Sequence, residues 1–258
     1  MINPQYRHWR DVACVYVYSA GVRVANYLSS RLTSAVWEYV VEAVRLRYQT
    51  IDVQGFDIHV RSLRDNQQFS DTLGEAEALG ISSAQWSLFG VVWDSSAVLA
   101  NEMATFAVEG KRILEVGCGL ALTSLLLNAR HADITATDIH PEAGNFLIEN
   151  VRLNSGMKIP FLRTGWNDLS DGLGEFDVII GSDILYEREH IALLSEFIER
   201  HAKPQCEVIL VDPGRLNHAA FSKKMVTLGY SHSQHKPETS GFLTEEFKGQ
   251  VLHYFRLN

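Results

Sequence analysis

From residue 86 onward the apolar positions fall into a rhythm. Short apolar runs, RILEVG (112–117), DITATD (133–138), PFLRTG (160–165), FDVIIGSD (176–183) and EVILVD (207–212), read as strands, the last two buried on both faces. Between them lie stretches with helical spacing: WDSSAVLANEMATFAV (93–108), LTSLLLNA (122–129), PEAGNFLIENVRLN (141–154), HIALLSEFIERHA (190–202) and NHAAFSKKMVTLG (217–229). In the first of these Leu99, Met103 and Phe106 share a face and Asp94 is placed to cap. Pro141 suits a first turn, and Gly229 a stop. YSHSQHK (230–236) and QVLHYFRL (250–257) read as two final strands, with residues 236–249 as the excursion between them, placed to overhang a site. Strands alternating with helices predict an α/β fold: a doubly wound, Rossmann-like seven-stranded sheet, mostly parallel with an antiparallel last strand. Such a sheet takes its ligand outside the carboxyl ends of its strands, where the strand order reverses.

Before residue 86 the pattern differs. Residues 10–47 carry Val12, Val15, Tyr16, Val36, Tyr39, Val40 and Ala43 at near-helical spacing. YQTIDVQGFDIHVRSL (48–63) alternates around Gly55, a strand–turn–strand signal, and residues 64–85 are polar and broken by Gly74 and Gly80, a loop or short helix. The expected division is an N-terminal helical and β-hairpin extension, 1–85, and a main domain, 86–258.

Charge narrows the partners. The 258 residues carry a net charge of −8, which speaks against a nucleic-acid backbone as main partner. Cys14, Cys118 and Cys206 have neither disulfide-framework nor zinc spacing and fit a reduced, cytoplasmic protein. The apolar run DVACVYVYSA (11–20) is too short to span a bilayer and is followed by no convincing cleavage site, so no membrane association is expected. His232 and His235 show no third ligand and read as exposed histidines, not a metal site.

The chemistry begins at LEVGCGLA (114–121). Gly117 and Gly119 lie between a strand end and a helix start, where missing Cβ atoms let a ligand approach the main chain. The dinucleotide pattern G-x-G-x-x-G fails, because position 122 is Leu. Glu115 precedes the glycines; a carboxylate there would repel a pyrophosphate and suit the amine of an amino-acid-like cofactor. Asp138, ending the next strand, is placed to accept hydrogen bonds from ribose hydroxyls, and Ile139 to pack on a purine. A nucleoside without phosphate and with a cationic tail is S-adenosylmethionine.

The E-x-G-x-G loop, Asp138 and FDVIIGSD resemble the class I, seven-strand S-adenosylmethionine-dependent methyltransferases over roughly residues 86–258. VVWDSSAVLA (91–100), ENVRLN (149–154), GWND (165–168) and SDILYE (182–187) resemble the methyltransferase-16 group, the lysine methyltransferase-like proteins. The resemblance implies cofactor contacts from Trp93, Trp166, Asn167 and Ser182. It also implies a D-x-x-Y element, Asp183 and Tyr186, that orients the acceptor amine, and S-adenosyl-L-homocysteine as product. The sequence departs from the group at Ala121, where most members carry glycine. DPGR (212–215) resembles a relative that modifies an electron-transfer flavoprotein, although a tight turn with a surface ion pair explains Asp212 and Arg215 nearly as well. The expected activity is N-methylation of a lysine in a protein substrate. The alternatives are a nicotinamide-like small-molecule N-methyltransferase and a non-catalytic cofactor-binding scaffold. Base methylation is disfavoured, because SDILY stands where amino-directed enzymes carry N/D-P-P-Y/F.

Overall fold

The computed structural model describes residues 45–65, 75–82, 86–169, 171–237 and 242–257. A hairpin comes first, β1 (Leu46–Val53) and β2 (Phe56–Leu63), turning at Gln54 and Gly55, both at positive φ. A short helix follows, α1 (Glu75–Ala78). The rest alternates: α2 (Asp94–Thr105), β3 (Arg112–Val116), α3 (Leu122–Ala129), β4 (Asp133–Asp138), α4 (Ala143–Leu153), β5 (Phe161–Arg163), β6 (Phe176–Ser182), α5 (His190–His201), β7 (Ala202–Asp212), α6 (His218–Thr227), β8 (Ser231–His235) and β9 (Gln250–Arg256).

The main sheet has seven strands in the order β5-β4-β3-β6-β7-β9-β8. β9 runs antiparallel to both of its neighbours, and the remaining pairs are parallel. The chain steps outward from β3 through β4 to β5, then returns to lay β6 on the other side of β3. The strand order therefore reverses between β3 and β6, and their carboxyl ends open the crevice described below.

Strand alternation divides the core into two layers. Ile113 of β3 packs with α2, α3 and α4, while Leu114 and Val116 pack with α5 and α6. Phe176, Phe197 and Phe221 are completely buried in the second layer. Burying each contributes about 1.5–3 kcal/mol.

Several boundaries differ from the sequence reading. The expected helix over 10–47 lies outside the described residues except at its end, where Leu46 and Arg47 belong to β1. Asp94 is the first helical residue rather than the cap; Trp93 takes the cap position in extended backbone without a side-chain hydrogen bond. β7 starts at Ala202 directly after α5, with an irregular register against β6 between Phe176 and Val178. The described part of the 236–249 excursion does not overhang the crevice: Phe247 is buried in the first core layer and Leu243 packs on it. His232 stacks on Tyr254 at 4.8 Å. Among the described residues no helix is long and apolar enough to cross a membrane.

Candidate functional site

The loop after β3 sets the geometry. Gly117, Gly119 and Ala121 all have positive φ (61°, 53° and 59°), so the chain doubles back twice before α3 begins. Gly117 is packed tight, since a Cβ there would meet Ile184 Cγ2 at 2.8 Å. Gly119 is the reverse: a Cβ there would have no atom within 4 Å, and the residue lines the crevice. The bare backbone at 119 thus faces open space. Ala121 is completely buried in the left-handed region, a conformation that glycine takes without strain. Its methyl costs about 1 kcal/mol or more of backbone strain.

Asp138 joins this loop to the next one. Its Oδ2 accepts from the Gly119 N–H and its Oδ1 from the His140 N–H, both at 2.8 Å, and the residue lines the crevice. Burial raises the Asp138 pKa, against the pull of those backbone hydrogen bonds. Burial also pushes His140 down to about 3, so its ring is neutral where it stacks on Phe89 at 4.0 Å.

The crevice has a volume of about 420 Å³, within the roughly 300–1,000 Å³ typical of small-molecule sites. Trp93, Gly117, Gly119, Asp138, Ile139, Trp166, Asn167, Ser182, Asp183 and Tyr186 all line it. Trp93 and Ile139 are 36% and 38% exposed, apolar surfaces facing an open slot where a flat ring would cover them. Part of the lining is an aromatic cluster: His190 meets Trp166 and Tyr186 edge to face at 5.1 and 4.6 Å. Another, more open depression of about 520 Å³ lies near the start of β7, but its Arg256 is committed to Glu199 and to main-chain carbonyls.

Glu115 is the correction. It is 2% exposed and does not line the crevice. Its Oε2 accepts from the Ser124 N–H at 2.9 Å and from the Ser124 hydroxyl, so it braces the start of α3 from beneath the loop. The carboxylate is committed to Ser124 rather than turned to the crevice. Burial, opposed by the Ser124 hydrogen bonds, pushes its pKa up to about 7. A carboxyl whose folded pKa lies above its unfolded value holds stability below the unfolded pKa and loses it as pH rises through the folded one. Unfolding of the ligand-free protein is therefore expected to become easier between about pH 4.5 and 7. Glu115→Gln should flatten that slope, leaving the part due to Asp138, and should be more stable than the wild type at pH 8. Urea titrations at pH 5 and pH 8 check this.

The sequence reading missed two features. Leu79, Gly80, Ile81, Ser82, Leu88 and Phe89 roof the crevice from irregular chain that carries no motif. Arg215 also lines it, and the DPGR turn was the signal. Asp212 Oδ1 accepts from the Gly214 and Arg215 N–H groups (2.8 and 2.7 Å), fixing the turn that aims Arg215 across the crevice. There its Nε and Nη2 donate to Oδ1 and Oδ2 of Asp183 (2.5 and 2.9 Å). This is a forked ion pair within the site rather than a surface one.

The family profile described as lysine methyltransferase matches residues 77–225. The chain is 32% identical over 139 residues to the protein N-lysine methyltransferase METTL21A of Danio rerio, covering 50% of this chain and 63% of that protein. It is 27% identical over 172 residues to the calmodulin-lysine N-methyltransferase of Arabidopsis thaliana, covering 62% and 54%. These matches thus span somewhat more than half the length of the two relatives. Among solved structures, the magnesium protoporphyrin IX methyltransferase of Synechocystis, with bound S-adenosylmethionine, superposes with a TM-score of 0.51 at 18% identity, covering 63% of this chain and 78% of that one. That likeness is one of fold. With more than half of its residues matched by the profile, the chain belongs to the lysine methyltransferase family.

Proposed function

We propose that this protein transfers a methyl group from S-adenosylmethionine to the side-chain amine of a lysine in a protein substrate. The observation that carries the reading is a single crevice joining two kinds of chemistry on a chain of this family. The bare main chain of Gly119 and the carboxylate of Asp138 line it together with Asp183 and Tyr186. Gly119 admits the methionine portion against the backbone, and Asp138 has acceptor positions for ribose hydroxyls. Trp93 and Ile139 offer apolar faces to the base; stacking of a base on an aromatic ring contributes about 1–3 kcal/mol. When bound, the sulfonium supplies an already activated methyl group. What remains for the protein is to align a nucleophile and exclude water, and alignment alone supplies about 7–11 kcal/mol. Tyr186 and Asp183 orient the amine, and the Trp166–His190–Tyr186 cluster dries the acceptor end. Burial raises the Tyr186 pKa, keeping its hydroxyl protonated and able to donate.

In this reading residues 86–258 carry catalysis, and the 1–85 extension contributes Leu79–Ser82 to the roof. Cys118 and Cys206 are free thiols, which fits a cytoplasmic location. The net charge of −8 favours a protein partner over nucleic acid. Extract from cells lacking the protein, incubated with pure protein and methyl-labelled S-adenosylmethionine, is expected to yield a labelled protein band whose hydrolysate contains methyllysine. Label confined to small molecules or to RNA, or no label with intact cofactor binding, would replace this reading.

A further inference from the structure

The acceptor end holds a charge arrangement that the D-x-x-Y element alone does not explain. Asp183 stands in the left-handed region (φ 53°), its N–H bonded to the Val211 carbonyl at 2.8 Å, which presents its carboxylate to the crevice. Arg215 engages both carboxylate oxygens, and its guanidinium carbon lies 5.6 Å from the centre of the Tyr186 ring. The Asp183 side chain is 12% exposed and that of Arg215 is 37% exposed, so the pair is partly screened from water. The Asp212 turn fixes Arg215 from behind, with the His218 Nδ1 3.6 Å from Asp212 Oδ1.

We propose that Arg215 is a specificity-determining residue: by neutralising Asp183 it keeps that carboxylate from holding the nucleophile as an ammonium, against the constant background of Glu187 and Glu189, which line the same crevice. This rests on the methyl-transfer reading above. A free lysine, with pKa about 10.4, must lose a proton before it can attack. A bare carboxylate beside it would raise that pKa and hold the unreactive cation. A carboxylate already forked to a guanidinium has little attraction left for a second cation, yet its oxygens still accept a hydrogen bond from N–H. The ammonium gives its proton to water on entry. The neutral nitrogen's lone pair then forms the N–C bond as the C–S bond breaks and its electron pair stays on sulfur. The positive charge passes from sulfur to the methylated nitrogen.

Two defined ligands test this without an acceptor protein. S-adenosylhomocysteine is uncharged at sulfur; sinefungin carries an amine-bearing carbon in its place and so brings an ammonium to the acceptor end. The readout is the ratio of their dissociation constants by calorimetry at pH 7. Arg215→Gln, which leaves Asp183 unpaired, is expected to shift the ratio roughly tenfold toward sinefungin. Asp183→Asn, which leaves Arg215 unpaired, is expected to shift it in the opposite direction, and Arg215→Lys should keep it near the wild-type value. A purely structural role would weaken both ligands together. Ratios unmoved in both neutralising variants, or moved in the same direction, would overturn the proposal. The two variants act from opposite sides, so either one that folds decides the sign. If wild-type protein binds neither ligand, the methyl-transfer reading fails and takes this one with it; binding of both with a fixed ratio overturns this one alone.

Discussion

Gly119→Val is expected to lower affinity for S-adenosylmethionine by roughly a hundredfold or more, because the crevice depends on main chain that no side chain shields. Two effects need separating. The first is backbone strain: φ at 119 is +53°, and a β-branched residue in that region is an outlier that costs about 1–2 kcal/mol. The second is occupancy, since the new side chain would project into the open space that the ligand must use. Gly172→Val separates them. Gly172 also has positive φ (74°) and open space around a Cβ, but it does not line the crevice. The two variants should lose similar stability in ligand-free thermal unfolding, while only the change at 119 abolishes the calorimetric signal. Equal affinities in the two would show that the ligand does not approach the main chain at Gly119.

The strands and helices of the main domain were legible because each apolar run is short, strongly periodic and punctuated by glycine or proline; α3 and β4 match their expected bounds at both ends. The glycine loop and Asp138 were legible for a related reason: a ligand at strand ends leaves its mark as residue types at fixed spacing. Glu115 shows where spacing is not enough. In RILEV, Ile113 and Glu115 share one face and Leu114 and Val116 the other, and the Ile113 face is the one that α3 covers. Period-two alternation therefore aims Glu115 at Ser124 and away from the crevice. Arg215 was hidden differently. Its turn was visible, but its partner lies 32 residues earlier in the chain, and the pair forms only because β6 and β7 end side by side, with Ser182 opposite Val211. The roof residues Leu79–Ser82, Leu88 and Phe89 had no signal at all, since irregular chain has no period to read.

Asn150→Leu is the second change expected to have a large effect, about 2–4 kcal/mol of lost stability. The ENVRLN stretch drew notice as a family mark, and the structure gives it mechanical work. Asn150 is completely buried. Its Oδ1 accepts from the Arg61 N–H of β2 at 2.8 Å, and its Nδ2 points to the Leu120 carbonyl of the glycine loop at 3.4 Å. One helical turn later Asn154 brackets His59, accepting from its N–H at 2.8 Å and donating to its carbonyl at 2.7 Å. Four helical residues rise about 6.0 Å and two strand residues about 6.8 Å, so amides at i and i+4 can serve alternate groups along one strand edge. The helix thereby stands in for a third strand beside the hairpin. Leucine has the same branching and number of heavy atoms but no polar ones, and it would remove the partner of the buried Arg61 N–H. Each such orphan costs about 1–3 kcal/mol, and the longer contact to Leu120 adds less. Because Leu120 follows Gly119, the same change should also weaken S-adenosylmethionine binding, but by less than Gly119→Val. Urea unfolding and calorimetry on one preparation test both effects. A stability loss with unchanged affinity would mean that the hairpin is merely docked on α4 and does not help to hold the loop in place.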